Sequence, residues 1–221
     1  MATSSAPRGY RTLIAAASLI AGPLLMAIGD LLHPEERMAP LEQAAILVGH
    51  ASRWYTAHLL LFVGMMLFIP GLLKLAALTE ARRPAAGYAA RILTLVGTAA
   101  IASIFVGEML VGRFVLDGAD QTAAADLLES MFSGPMLAVV GPAMLAFFVG
   151  TAVFAIPLMR TGSRLGWAAA IILVGAVLIL VEIISAQVIL SQIGNILVFC
   201  GSAMVAWLIL QDATGETAEL T

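Results

Sequence analysis

Six long apolar runs dominate the chain, near residues 12–32, 54–74, 89–112, 135–159, 165–187 and 193–211. Runs of this length fix the class of fold. About 20 apolar residues, wound as a helix, cross the hydrocarbon core of a bilayer. Inside lipid every backbone N–H and C=O must be satisfied by the protein itself, which leaves only helices and closed barrels. Barrel strands would be about ten residues long and alternate in polarity, and these runs do not alternate. The predicted fold is all-α: one transmembrane domain, 1–221, of six membrane-spanning helices, with polar tails at 1–11 and 212–221. Only 11% of the 221 residues are charged and 61% are hydrophobic, whereas soluble domains carry about 25% charged residues. The lipid bilayer is therefore the expected main solvent.

The first run, Thr12 to Leu32, is too long for a signal-peptide core and no A-x-A site follows it, so it reads as an uncleaved span. Basic residues set the expected orientation. With the N-terminus inside, Arg8, Arg11, Lys74, Arg82, Arg83, Arg91, Arg160 and Arg164 lie inside, and Arg37, Arg53 and Arg113 outside. Both termini are then cytoplasmic, with three outward hairpins. The first outer connection should hold a short interfacial helix over 41–52. In the second, Asp120 should cap a helix whose stripe is Leu127, Leu128, Met131 and Phe132. The third, about residues 188–192, should be tight. Pro23 and Pro142 should kink their helices.

A short signature recurs. Phe62-Val63-Gly64, Phe148-Val149-Gly150 and Phe199-Cys200-Gly201 mark the even spans. Leu19-Ile20-Ala21-Gly22, Leu95-Val96-Gly97 and Leu173-Val174-Gly175 mark the odd ones. One hairpin repeated three times would produce this, with Gly22, Gly97 and Gly175 facing neighbouring helices.

The ionisable residues within the spans carry most of the functional information. Each odd span has one acid: Asp30, Glu108 and Glu182. Counted from the inner arginine of each span, all three lie about 26–28 Å above the inner boundary, and His58 about 24 Å. His33 follows Asp30 by one turn. His50, Trp54 and His58 would share a face on a continuous helix, and Gln192, Asn195 and Ser185 fall near the same depth. The expected site is Asp30, His33, His58, Glu108 and Glu182, at the outer mouth. Such a set suits a divalent transition metal, zinc foremost, or proton handling. The competing expectation is that the carboxylates merely end helices or pair with Arg37, Arg53 or Arg113.

Several chemistries are disfavoured. Cys200 is the only cysteine, which removes internal disulfides and cysteine zinc sites. All histidines precede residue 60, which disfavours a rhomboid-type serine protease. Lys74 sits at a helix end, wrong for a retinal Schiff base. Haem would have to use His58 with His33 or His50, a poor match. Glu35-Glu36-Arg37 is superficially like a prenyl-protease motif but lacks the remaining histidines. With a net charge of −3 and no basic excess, nucleic acid is not an expected partner.

The basic tail from Arg8 to Arg11, the arginines Arg82, Arg83 and Arg91 before the third span, and the alanine-rich spans together resemble bacterial six-span integral membrane proteins of unknown function. That resemblance implies a multi-pass protein of the bacterial plasma (inner) membrane and supplies no catalytic residues. Three functions stay open: a binding or transport protein using the acid/histidine site, an accessory subunit or homo-oligomer docked through small-residue faces such as Gly64, Gly97 and Gly150, and a metal-dependent lipid hydrolase.

Overall fold

The computed structural model describes residues 8–37 and 39–214. Among them are seven helices and no strand: α1 (Arg8–Leu32), α2 (Pro40–Glu80), α3 (Pro84–Leu116), α4 (Gln121–Phe132), α5 (Gly134–Met159), α6 (Arg164–Ser185) and α7 (Val188–Thr214). All except α4 are long and apolar enough to cross a membrane. The chain is a multi-pass membrane protein.

Its expected boundaries need correction. Part of each polar tail is helical, since α1 starts at Arg8 and α7 continues to Thr214; the rest of the tails lies outside the described residues. The interfacial helix over 41–52 is not separate. It is the first part of α2, joined to the span across a kink at His50 (φ −136, ψ 28). The third outer connection is shorter than expected: residues 188–192 already belong to α7, and only Ala186 and Gln187 link it to α6. Asp120 does cap α4, accepting from the Ala123 N–H at 2.9 Å. On the α4 stripe, Leu128 is buried and Met131 packs against the cluster that holds Leu128, Trp54 and Val111, while Leu127 is exposed; the Phe132 side chain lies outside the described residues.

The spans form a closed ring in which α1 packs on α2, α2 on α3, α3 on α5, α5 on α6, α6 on α7, and α7 back on α1. Among the described residues only α2 and α5 touch across it. That contact includes Thr79, whose hydroxyl donates to the Phe154 carbonyl at 3.1 Å. Around it Phe68, Leu72, Phe154, Leu158 and Leu165 fill the ring at the end away from α4. Tyr10, Tyr88, Trp167 and Trp207 stand outward near that same end, where amphipathic rings suit a membrane–water interface.

Glycines set how closely the hairpins α1–α2, α3–α5 and α6–α7 pack. A Cβ at Gly97 would lie 2.2 Å from the Phe147 nitrogen, and one at Gly150 2.8 Å from the Thr94 nitrogen. At Gly175 it would meet the Val198 nitrogen at 2.9 Å, and at Gly201 the Ile172 side chain at 2.7 Å. At Gly22 it would meet the Phe68 backbone at 2.7 Å, and at Gly71 the Leu19 side chain at 2.9 Å. In all three hairpins each glycine touches the residue three positions before the partner glycine. The three hairpins thus share one packing register. The even-span glycine of the first hairpin is Gly71, two turns beyond the Gly64 that the short signature suggested. Gly64 corresponds instead to Gly194: each would place a Cβ 2.7 Å from the carbonyl of the odd-span glycine, Gly22 or Gly175.

The helices run through Pro23, Pro70, Pro142 and Pro157. At Pro70 the repair is visible. Proline lacks an N–H, and its ring crowds the preceding turn. The Ser18 hydroxyl of α1 steps in, accepting from the Gly71 N–H at 2.8 Å and donating to the Leu67 carbonyl at 2.5 Å.

Candidate functional site

At the α4 end the ring is not filled. It encloses a cavity of about 590 Å³. Its apolar wall follows the repeat. Met26, Ile101 and Ile179 lie four residues after Gly22, Gly97 and Gly175, and all three line it. Met65, Met144 and Asn195 lie six before Gly71, Gly150 and Gly201, and they line it too. The cavity therefore sits on the axis relating the three hairpins. One or two turns further toward the mouth, α1, α3 and α6 contribute Asp30, Glu108 and Glu182, and α2 contributes His58.

Four of the five residues expected from sequence thus share one cavity, and the fifth, His33, touches it through His58. The Nε2 atoms of His33 and His58 are 3.3 Å apart. His58 Nε2 is also 2.8 Å from Glu108 Oε2. Backbone carbonyls hold the other ring nitrogens: His33 Nδ1 is 2.8 Å from the Pro34 oxygen and His58 Nδ1 2.8 Å from the Trp54 oxygen.

These positions come from local sequence. Pro34 disfavours helical geometry for the residue before it, so α1 stops at Leu32. The freed carbonyls of Leu32 and His33 accept from Arg53 at 2.5 and 3.2 Å, which fixes His33 against α2. Trp54 lies against both imidazoles, with centroids 4.9 Å from His33 and 4.7 Å from His58. Its indole N–H donates to the Glu108 carbonyl at 3.0 Å, holding α3 to α2 at this level.

Hydrogen-bond accounting fixes a proton. A carbonyl can only accept, so both Nδ1 atoms carry hydrogen. Neutral imidazoles would then present two bare Nε2 lone pairs to each other, beside a carboxylate. With one further proton the contacts close only when it sits on His58 Nε2, whose N–H then lies between the two acceptors, His33 Nε2 and Glu108 Oε2. Burial, and then the adjoining His58, hold the His33 imidazole below the usual histidine range; His33 is the acceptor.

Opposite this chain, Asp30 Oδ1 accepts from the Ser191 hydroxyl at 3.2 Å. Its Oδ2 is buried without a hydrogen-bond partner, as is Asn195 Oδ1. Gln192 donates to the Asp30 carbonyl at 3.4 Å. The arginines at this end are engaged elsewhere: Arg37 with Glu35 at 2.7 Å, Arg113 with Asp117 at 2.6 Å, and Arg53 with the α1 carbonyls.

No protein-family model, curated protein or solved structure matches the chain. The reading of the site rests on its own geometry.

His50 does not join the cluster. The kink turns it outward, and it is exposed, as is Ser185. Among the described residues no group of three His, Cys, Asp or Glu side chains is arranged to hold a metal ion. The direct contact of His33 with His58 leaves no gap for a porphyrin between them. Sequence reasoning missed the parts played by Arg53 and Ser191. The arginine had a signal, since a span that ends before Pro34 leaves carbonyls to cap. Ser191 had none, because the expected boundary left it in a loop.

Proposed function

We propose that this protein binds or transports a ligand in an outward-facing cavity, with binding tied to protonation of the His33–His58–Glu108 chain. One observation carries the reading: two buried imidazoles and a part-buried carboxylate, from three segments, in contact in a row at the cavity wall, whose contacts require a shared proton. Buried acids and histidines that line a cavity in a membrane protein favour proton relay over simple helix marking. The distribution of arginine and lysine supports an outward-facing mouth at the α4 end, and the resemblance to bacterial six-span proteins supports a bacterial plasma membrane. The ring filled by Phe68, Phe154 and Leu165 closes the other end, which suits one state of an alternating cycle.

The accessory-subunit reading draws less support. Gly64, Gly97 and Gly150 are each covered by this chain's own helices, so those faces are already used. Metal carriage and metal-dependent hydrolysis lack a gathered ligand set, which leaves proton handling as the better-supported half of the acid/histidine expectation.

Infrared titration of the purified protein from about pH 5 to 9 tests the proposal. Wild type should show a carboxyl band and an imidazole band changing together. Glu108→Gln should remove the carboxyl component and shift the imidazole change, and His58→Gln should shift the carboxyl change. Titration curves that neither substitution alters would end the proposal.

A further inference from the structure

We infer that the cavity takes a hydrophobic organic cation, with its charged head at Asp30 and its apolar body against the phenylalanines below. This names the ligand class of the proton-handling site and so rests on that reading. Three independent features point the same way.

The first is an unmet acceptor. Asp30 is 7% exposed and Asn195 4%. Both residues line the cavity, and each has one buried oxygen, Oδ2 or Oδ1, without a hydrogen-bond partner. A buried acceptor without a partner is costly, and a cationic or N–H-bearing head supplies what both oxygens lack. Gln43 Nε2 is the opposing case, a bare donor, and it sits at the mouth, six residues from the Arg37 N–H that its own Oε1 accepts at 2.5 Å.

The second is charge. Asp30, Glu36, Glu108, Glu129 and Glu182 line the cavity, and among the described residues Arg37 is the one arginine or lysine that does. Arg37 is paired with Glu35 at 2.7 Å, and the proton on His58 is held between His33 and Glu108. An anion would meet carboxylates and no free cationic partner.

The third is the apolar wall. Phe105, Phe147 and Phe148 line the cavity, and aromatic rings attract cations. Met26, Met65 and Met144 are flexible and polarisable, so they adapt to bodies of varied shape. A volume of about 590 Å³ falls within the range of small-molecule sites, about 300–1,000 Å³. An inorganic cation would leave that surface unused.

A matched pair of probes separates charge from greasiness: tetraphenylphosphonium and tetraphenylborate have nearly the same shape and opposite charge. Equilibrium dialysis of each, against the full chain in non-ionic detergent and against empty micelles, should show the phosphonium bound at least about tenfold more tightly. Asp30→Asn should weaken the phosphonium about tenfold and leave the borate unchanged. Borate binding as tight as phosphonium, or no phosphonium binding above empty micelles, overturns the proposal on wild-type protein alone, whatever the variant's folding. A folded Asp30→Asn protein with wild-type phosphonium affinity overturns the placement of the head. The infrared titration reports separately on the proton. If the Glu108 band titrates but phosphonium does not bind, the ligand class falls and the proton reading stands. If phosphonium binds in the expected pattern while the Glu108 band is silent, the proton reading falls and the ligand class stands.

Discussion

Replacing Ser18 by alanine removes the hydroxyl that mends α2 at Pro70. Ser18 is buried, so water cannot take its place, and both the Gly71 N–H and the Leu67 carbonyl lose their partner. A buried polar group left unsatisfied costs about 1–3 kcal/mol. Hydrogen bonds measured within membrane proteins average nearer 0.6 kcal/mol, because the unfolded chain in lipid also finds partners. Two groups are orphaned at once, so the expected loss is about 1.5–3 kcal/mol. The cause can be isolated with a cycle. Pro70→Ala restores an N–H at position 70 and removes the crowding ring, which lets the Gly71 N–H return to Leu67 within the helix. In that background Ser18→Ala should cost less than about 1 kcal/mol, the difference being the coupling between the two sites. Reversible unfolding in mixed micelles, followed by helix circular dichroism, gives all four stabilities. An equal cost of Ser18→Ala in both backgrounds would refute the repair argument, and so would a cost below about 0.5 kcal/mol with proline present.

Two further outcomes test the packing. Gly97→Leu should abolish the monodisperse folded peak on size-exclusion chromatography, because its first side-chain atom already falls 2.2 Å from the Phe147 nitrogen, while Gly49→Ala, with open space around it, should be neutral or gain up to about 1 kcal/mol from backbone entropy. Ala186→Gly should stabilise by about 1 kcal/mol in the same micelle assay, because Ala186 ends α6 in left-handed geometry (φ 51, ψ 31), which strains any residue with a Cβ.

The spans were legible because lipid permits so little else: a long apolar run has one secondary structure. The level shared by Asp30, Glu108, Glu182 and His58 was legible because the helical rise is fixed and each count began at an arginine. That they face a common cavity was not. Rotation about a helix axis is set by neighbours, and here by glycine contacts whose partners lie on other helices. The first hairpin shows the limit. Phe62-Val63-Gly64 matched the other even spans by letters, yet the register belongs to Gly71, because the contact depends on which residue meets Gly22 and Leu19. His50 failed for a local reason. Four-residue spacing placed it with His58 on an unbroken helix, and the backbone departs from helical geometry at that residue.

The shared register also explains why the cavity lies where it does. In the first and third hairpins Gly64 and Gly194 bring the two helices together toward the α4 end. The matching position of the second hairpin is Ala143, and Gly141 beside it has only its own helix's Leu137 within reach of a Cβ. Leu137, Val139 and Leu145 are all exposed. The second hairpin therefore lacks the close glycine contact of the other two at this end. Phe105 and Glu108 of α3 consequently face the cavity, and α4 lies across the end of the hairpin against α2, α3 and α5. Three hairpins packed alike throughout would bury their acids against one another with no room for a ligand. Relaxing one of the three keeps the scaffold and opens its axis, and Asp30, Glu108 and Glu182 are left lining that space.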